Sequence, residues 1–324
     1  MREINFFTDK IFCGTNIKPI VQTDECMLMQ LYDKTGEGTM TIHKIFDGAY
    51  LIYNDMHLKE YMCDFRLKEN TALLCIDHCR EGRMESEIAK GAYSYLQEHE
   101  MRVDNRLHHD GHISFPLCHF HGLSINFDLE TAIPVLRDLY GGFSVNLQGL
   151  LKKYCDTSRP YVIHNETGLE HIMSELYYVP GQIKTEYYKI KALELLLYLD
   201  ALQLSDAIEE RPYFYRGQVE KVKAIHTFIV GNLQAHYTME ELAQRFQISL
   251  TGMKNCFKEV YGDSMYSYFR RYRINVAATL LRQDSTKSVA EIGGLVGYES
   301  PGKFSSAFRQ IMGQTPFEYR NAVF

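Results

Sequence analysis

The sequence predicts an α+β protein in two parts: an antiparallel β barrel with trailing helices over residues 1–204, then an all-α domain over 217–324. Three observations predict it. At 324 residues the chain is longer than one ordinary core organises, so two domains are expected. Strand-like segments dominate residues 1–127, after which apolar residues recur at three- and four-residue spacing. Near the C-terminus one helical pattern occurs twice.

The strand segments are Met27–Tyr32, Thr39–His43, Tyr50–Tyr53, Ala72–Asp77 and Leu123–Phe127, rich in β-branched and aromatic residues. Gly, Asn and Asp clusters between them mark turns, and the spacing suits a barrel or sandwich. From Asp128 the helical pattern covers Leu129–Leu139, Leu147–Tyr154, Glu166–Leu176 and Gln182–Leu204, broken by Val179-Pro180-Gly181. The last of these is apolar around more than one face, so it needs cover on two sides, from its own domain or from a second subunit. Residues 205–216, with Arg211 and Pro212, read as the interdomain linker.

Composition narrows the function classes. Hydrophobic residues make up 45% and charged residues 23%, as in globular proteins. No apolar run approaches the ~20 residues of a membrane helix. The opening Met1-Arg2-Glu3-Ile4-Asn5 lacks a secretory pattern, so a cytoplasmic protein with reduced cysteines is expected. Cys75 and Cys79 could form a redox switch, with reduced bystanders the simpler reading. No P-loop, GxGxxG or GxSxG pattern occurs. The formal net charge is −6, yet residues 218–324 carry 13 basic against 9 acidic side chains, which suits a polyanionic partner for that part.

The repeat is the most informative feature. Glu241-Leu242-Ala243 matches Glu291-Ile292-Gly293, and Phe246 and Ile248 match Val296 and Tyr298 at the same offset of 50. One extra residue then makes the offset 51, pairing Ser249 with Ser300, Met253 with Phe304, Phe257 with Phe308, Gly262 with Gly313 and Tyr268 with Tyr319. Each copy reads as two short helices and a tight turn, over 238–262 and 288–313. Thr238 with Glu241 forms a capping box, Ser249, Ser288 and Ser300 are N-caps, and Pro301 takes a first helical position. In the second helix of each unit the apolar side is Met253, Cys256, Phe257 and Val260, or Phe304 and Phe308. The opposite sides carry Thr251, Lys254, Asn255 and Lys258, or Gly302, Lys303 and Ser306, small and hydrogen-bonding surfaces that a DNA major groove admits. Arg309 lies on the flank, and Arg270, Arg271 and Arg273 line the exposed side of a connecting helix, 266–283.

The stretches GDSMYSYFRRYRINVAATLLRQ and SVAEIGGLVGYESPGKFSSAFRQIMGQTPFEYR resemble the signature of the AraC/XylS family of bacterial transcription regulators. The resemblance implies a seven-helix DNA-binding domain with two helix-turn-helix units. Base reading then falls on Thr251, Lys254 and Asn255, and on Pro301, Gly302, Lys303 and Ser306. Phosphate contacts fall on Ser249, Lys258, Arg270, Arg271, Ser300 and Arg309. Double-stranded DNA, RNA polymerase, a second copy of the chain and a small-molecule effector are the implied partners, with activation commoner than repression. The sequence departs from the family pattern at Gly293, where alanine is usual, and at Gln247, where glycine often sits.

For residues 1–127 the resemblance implies a cupin-like sensor barrel. His108, His109, His112, His119 and His121 crowd together, and His119-Phe120-His121 puts two imidazoles on one side of a strand. The carboxylate of an enzymatic cupin set does not follow them, so hydrogen-bonded surface histidines are expected and no metal or cofactor is assigned. Tyr50, Tyr53, Tyr93, Tyr95, His119 and His121 are the candidates for a ligand pocket, against ordinary sheet packing. The competing functions are a metal-dependent cupin enzyme fused to a DNA-binding module, and a regulator controlled by a protein partner.

Overall fold

The computed structural model describes residues 17–62, 72–106, 112–156, 160–164, 166–204, 214–283 and 286–321. The chain divides into two compact units, Met1–Tyr213 and Phe214–Phe324. Residues 205–213 of the predicted linker, and His108 and His109, lie outside the described residues.

The first unit is built on a curled antiparallel sheet. Its strands are β1 (Ile17–Gln22), β2 (Cys26–Asp33), β3 (Gly36–Phe46), β4 (Ala49–His57), β5 (Glu60–Met62), β6 (Leu73–Ala89), β7 (Ala92–Gln97), β8 (Glu100–Asp104), β9 (His112–Ser114), β10 (Phe120–Asp128) and β11 (Tyr161–His164). The main path runs β1-β2-β3-β4-β10-β6-β7, with β8, β9, β5 and β11 attached beside β6. Four helices follow or interrupt it: α1 (Leu129–Leu139), α2 (Leu147–Cys155), α3 (Thr167–Leu176) and α4 (Lys184–Ala201). Strand β11 corrects the all-helical reading of 128–204. Its four residues pair with β8, a long-range match that short-range periodicity cannot register.

Alternation along the strands gives each face its own core. Leu51, Leu74, Ile76, Leu123, Ile125 and Phe127 meet the helices, where Leu195, Leu196 and Leu199 of α4 are fully buried. Met29, Leu31, Ile42, Ile52, Met56 and Phe120 fill the other face. Cover of α4 by its own sheet leaves Ile183, Ile190 and Leu197, seven residues apart, 48%, 60% and 47% exposed.

The inner face also holds charge. Asp77 and Arg102, each 1% exposed, share two bonds of 2.7 and 3.0 Å, Arg106 reaches the other carboxylate oxygen at 2.6 Å, and Ser124 donates to it at 2.7 Å. Burial alone would push the Asp77 carboxyl up, but Arg106 and Arg102 outweigh it and hold it at about 2. Cys75 and Cys79 are both buried, and burial pushes the Cys75 thiol up to about 12. Four steps along one strand set them about 13 Å apart, beyond disulfide reach, which removes a disulfide between them as the switch. Among the described residues no helix is long and apolar enough to cross a membrane.

Replacing Asp77 tests this network. Asp77→Asn leaves the buried Arg102 guanidinium without an anion and Arg106 with Asp104 alone, and should cost ~3–5 kcal/mol in urea denaturation. The folded carboxyl titrates below its ordinary 3.8, so its stabilisation is full above that value and disappears as pH falls toward about 2. Asp77→Asn should therefore flatten the acid limb of the stability profile.

Candidate nucleic-acid interface

The second unit places helices α5 (Arg216–Val230), α6 (Met239–Arg245), α7 (Leu250–Tyr261), α8 (Met265–Gln283), α9 (Val289–Leu295), α10 (Pro301–Met312) and α11 (Pro316–Asn321) in sequence. Helix α5 begins inside the predicted linker, at Arg216. The repeat is visible in the hydrogen bonds. Thr238 Oγ1 accepts from the Glu241 amide at 3.1 Å while Glu241 accepts from the Thr238 amide at 2.8 Å, and Ser288 with Glu291 repeats the box at 3.1 and 2.7 Å. These pairs satisfy amides that the first turn of a helix leaves free. Ser249 and Ser300 cap α7 and α10, and Gly262 and Gly313 end them in the left-handed conformation.

The turns agree as closely. The Ile248 amide donates to Ala243 and the Tyr298 amide to Gly293, at 3.0 and 2.9 Å. The residue before each is left-handed, Gln247 at φ 50° and Gly297 at φ 86°. The first turn thus takes the glycine-type conformation with a glutamine in it, at roughly 1 kcal/mol of strain. Its carbonyl accepts from Lys221 Nζ at 2.7 Å.

Gly293 has a packing reason. A Cβ there would stand 3.1 Å from the ring of Phe304, which is fully buried. The matching pair in the first unit is Ala243 with Met253, also buried. A larger residue on one helix is thus accommodated by a smaller one on the other.

The proposed reading side chains divide by face as the sequence predicts. Thr251, Lys254, Asn255 and Lys258 on α7 are exposed, as are Pro301, Gly302, Lys303, Ser306 and Arg309 on α10. Their opposite sides, Met253, Cys256, Phe257 and Val260, and Phe304, Ala307 and Phe308, are buried. The Ser249 and Ser300 oxygens are used as caps, though each hydroxyl retains a proton to donate.

The arginines of α8 need correction. Arg270 is half-buried and donates to Gln310 on α10. Arg271 is exposed but paired with Asp263 at 3.4 Å. Arg273 turns inward, donating to the Ala235 carbonyl at 3.1 Å, and its buried Nε has no partner among the described residues. At 3.6 residues per turn, positions 270, 271 and 273 of α8 point in different directions, so the three do not form one solvent face.

Sequence reasoning missed the ties between the two units. His236 reaches the Gly297 carbonyl at 2.9 Å, and Arg273 holds Ala235 beside it. A Cβ on Gly297 would lie 2.4 Å from the Leu233 carbonyl oxygen, so the second turn sits directly on the α5–α6 connection. An open groove of about 920 Å³ runs past these ties, lined by Tyr237, Arg270, Arg273, Tyr298, Lys303 and Ser306 among others. It brings Gly302, Lys303 and Ser306 together with Ser300 and Arg270, whereas the α7 residues lie outside it.

A family described as a helix-turn-helix domain matches residues 242–322. An AraC-like transcription regulator of Streptomyces antibioticus is 29% identical over 193 residues, covering 56% of this chain and 62% of that protein. The HTH-type transcriptional regulator ArgR of Pseudomonas aeruginosa is 36% identical over 91 residues, covering 28% and 27%. The HTH-type transcriptional activator RhaR of Yersinia pestis is 29% identical over 144 residues, covering 42% and 47%. The C-terminal unit is thus similar to AraC-like and other HTH-type transcription regulators. The chain spans between 27% and 62% of the length of these three relatives.

The pocket candidates of the first unit do not converge. Tyr53 faces the helices, donating to the Leu176 carbonyl and meeting Tyr188 at 3.1 Å. His121 lies on that same face against Tyr177, at 5.3 Å between rings. Tyr50 is buried on the opposite face, where burial pushes its phenol up to about 12. Tyr93 and Tyr95 are buried on β7, with Tyr95 donating to Glu85 at 2.8 Å. His119 sits just before β10, near His57 and Glu81.

A double-mutant cycle checks the Gly293–Phe304 fit. Gly293→Ala gains about 1 kcal/mol of helix propensity, which crowding against Phe304 should cancel. In a Phe304→Met background the gain should reappear in urea denaturation, a coupling of at least ~0.5 kcal/mol. Additive effects would contradict the packing explanation.

Proposed function

We propose that the protein is a dimeric, effector-responsive transcription regulator that reads double-stranded DNA with α7 and α10. The observation that carries this reading is the pair of rods, each buried on one side and exposed on a small, polar, basic side. The ties at His236, Arg273 and Gly297 favour both rods meeting one duplex as a fixed pair. Adjacent major grooves on one DNA face recur about every 34 Å. Thr251, Lys254 and Asn255 read bases from α7, and Pro301, Gly302, Lys303 and Ser306 from α10. Lys258 and Arg309, both exposed, are the cations for phosphate, with Ser249 and Ser300 donating beside them. Arg270 and Arg271 contribute only after leaving Gln310 and Asp263.

The curled sheet of the first unit serves as a cupin-like sensor barrel, and the seven helices of the second as the DNA-binding domain. The exposed Ile183, Ile190 and Leu197 stripe supports a second copy of the chain packing along α4. RhaR, a relative, is an activator by name, which favours activation through RNA polymerase here. A cytoplasmic regulator rather than an enzyme fits these relatives. The effector acts by preferring one arrangement of the regulator over another.

Selection of bound fragments from randomised duplexes tests the reading, and failure to enrich any sequence would reject it. Lys254→Ala and Asn255→Ala should each cost ~1–3 kcal/mol of discrimination at one base pair, more than Lys303→Ala does. Equal effects would remove that ranking. In salt titrations, Lys258→Ala should reduce the slope of log affinity against log salt by about 0.9, and Arg271→Ala by less because Asp263 already engages it.

A further inference from the structure

At the end of the β4–β10 ladder two imidazoles face each other. Phe120 pairs with Met56, and His119 and His57 stand at the next step outward. Their Nδ1 atoms are 3.4 Å apart and their ring centroids 5.1 Å. The remaining nitrogen of each ring has its own carboxylate. His57 Nε2 lies 3.0 Å from Asp55, and His119 Nε2 lies 3.5 Å from Glu81.

This arrangement has a chemical consequence. A neutral imidazole carries one N–H. A carboxylate near Nε2 attracts the proton to that nitrogen, and in that tautomer the Nδ1 lone pair is bare. With both rings held so, two lone pairs confront one another across 3.4 Å. That gap suits a shared cation. Nitrogen ligands about 2.0–2.1 Å from a tetrahedral ion stand about 3.3 Å from each other. A carboxylate behind each histidine is also the usual outer partner of a metal-bound imidazole.

We propose that His57 and His119 bind a divalent transition-metal ion of the zinc, copper or nickel type through their Nδ1 atoms, with Asp55 and Glu81 orienting the rings. Imidazole ligands suit these ions. The side chains are 59% and 36% exposed, so an ion enters from solvent. Among the described residues no three histidine, cysteine or carboxylate groups form a ready cage, so water completes the coordination and the ion exchanges freely. The site does not use the His119–His121 pair on one side of the strand: His121 is turned to Tyr177, and the partner of His119 comes from the neighbouring strand. It lies on the helix-bearing face of the sheet, away from the apolar interior and independent of DNA reading.

Titration of the full chain with zinc against a chromogenic chelator tests the proposal. One equivalent should bind. His57→Ala and His119→Ala should each weaken it at least tenfold, Glu81→Gln about tenfold, and His121→Ala less than twofold. Electron paramagnetic resonance of the wild-type chain with one equivalent of copper(II) should show two imidazole nitrogens, a readout that needs no variant to fold. No stoichiometric uptake, uptake unchanged in both histidine variants, or a copper spectrum with fewer than two nitrogens would each overturn it.

Discussion

Gly297 touches the carbonyl of Leu233 at a distance that no side chain could share. Much of the C-terminal unit depends on that approach. It seats the turn of the second helix-turn-helix unit on the connection before the first, and the His236 and Arg273 bonds close over it. Two units joined only by α8 could bend about it. Two units also tied at their turns have their exposed faces set before any ligand arrives, which lowers the ordering cost of binding. The positive φ of Gly297 serves the turn, and its missing side chain serves the seat.

The first unit meets a different constraint. A sheet covered on both faces must fill both with matched groups, and here one face is apolar against helices while the other mixes methionine, isoleucine and an Asp77–Arg102–Arg106 network. Inside the protein such a network holds only because each charge has its counterpart and Ser124 and Ser86 satisfy remaining bonds. Helix α4 shows the same economy. Leu195, Leu196 and Leu199 serve the sheet, and Ile183, Ile190 and Leu197 remain on the outer side. Of the two covers foreseen for this helix, its own domain supplies one.

Legibility followed the range of the interaction. Capping boxes join residues three apart, so Thr238 with Glu241 was readable directly, and the copy at Ser288 with Glu291 by the repeat. The buried and exposed sides of α7 and α10 followed from helical spacing alone. The strands at Tyr161–His164 and Ala92–Gln97 were not legible, because a short strand acquires its identity from the neighbour it pairs with. The row of arginines on α8 misled for a related reason. Arg270, Arg271 and Arg273 are close in sequence but fan out around the helix, to Gln310, Asp263 and Ala235.

By itself the sequence determined the α+β division, the doubled helix-turn-helix, its caps and the polar faces of its rods, since these depend on residues a few positions apart. Only the tertiary structure decided which strands pair, which tyrosines are buried on which face, that His119 meets His57 rather than His121, and that His236 and Gly297 hold the two units together. Those contacts join residues dozens of positions apart, and the chain encodes them in the summed packing of whole elements rather than in any local pattern.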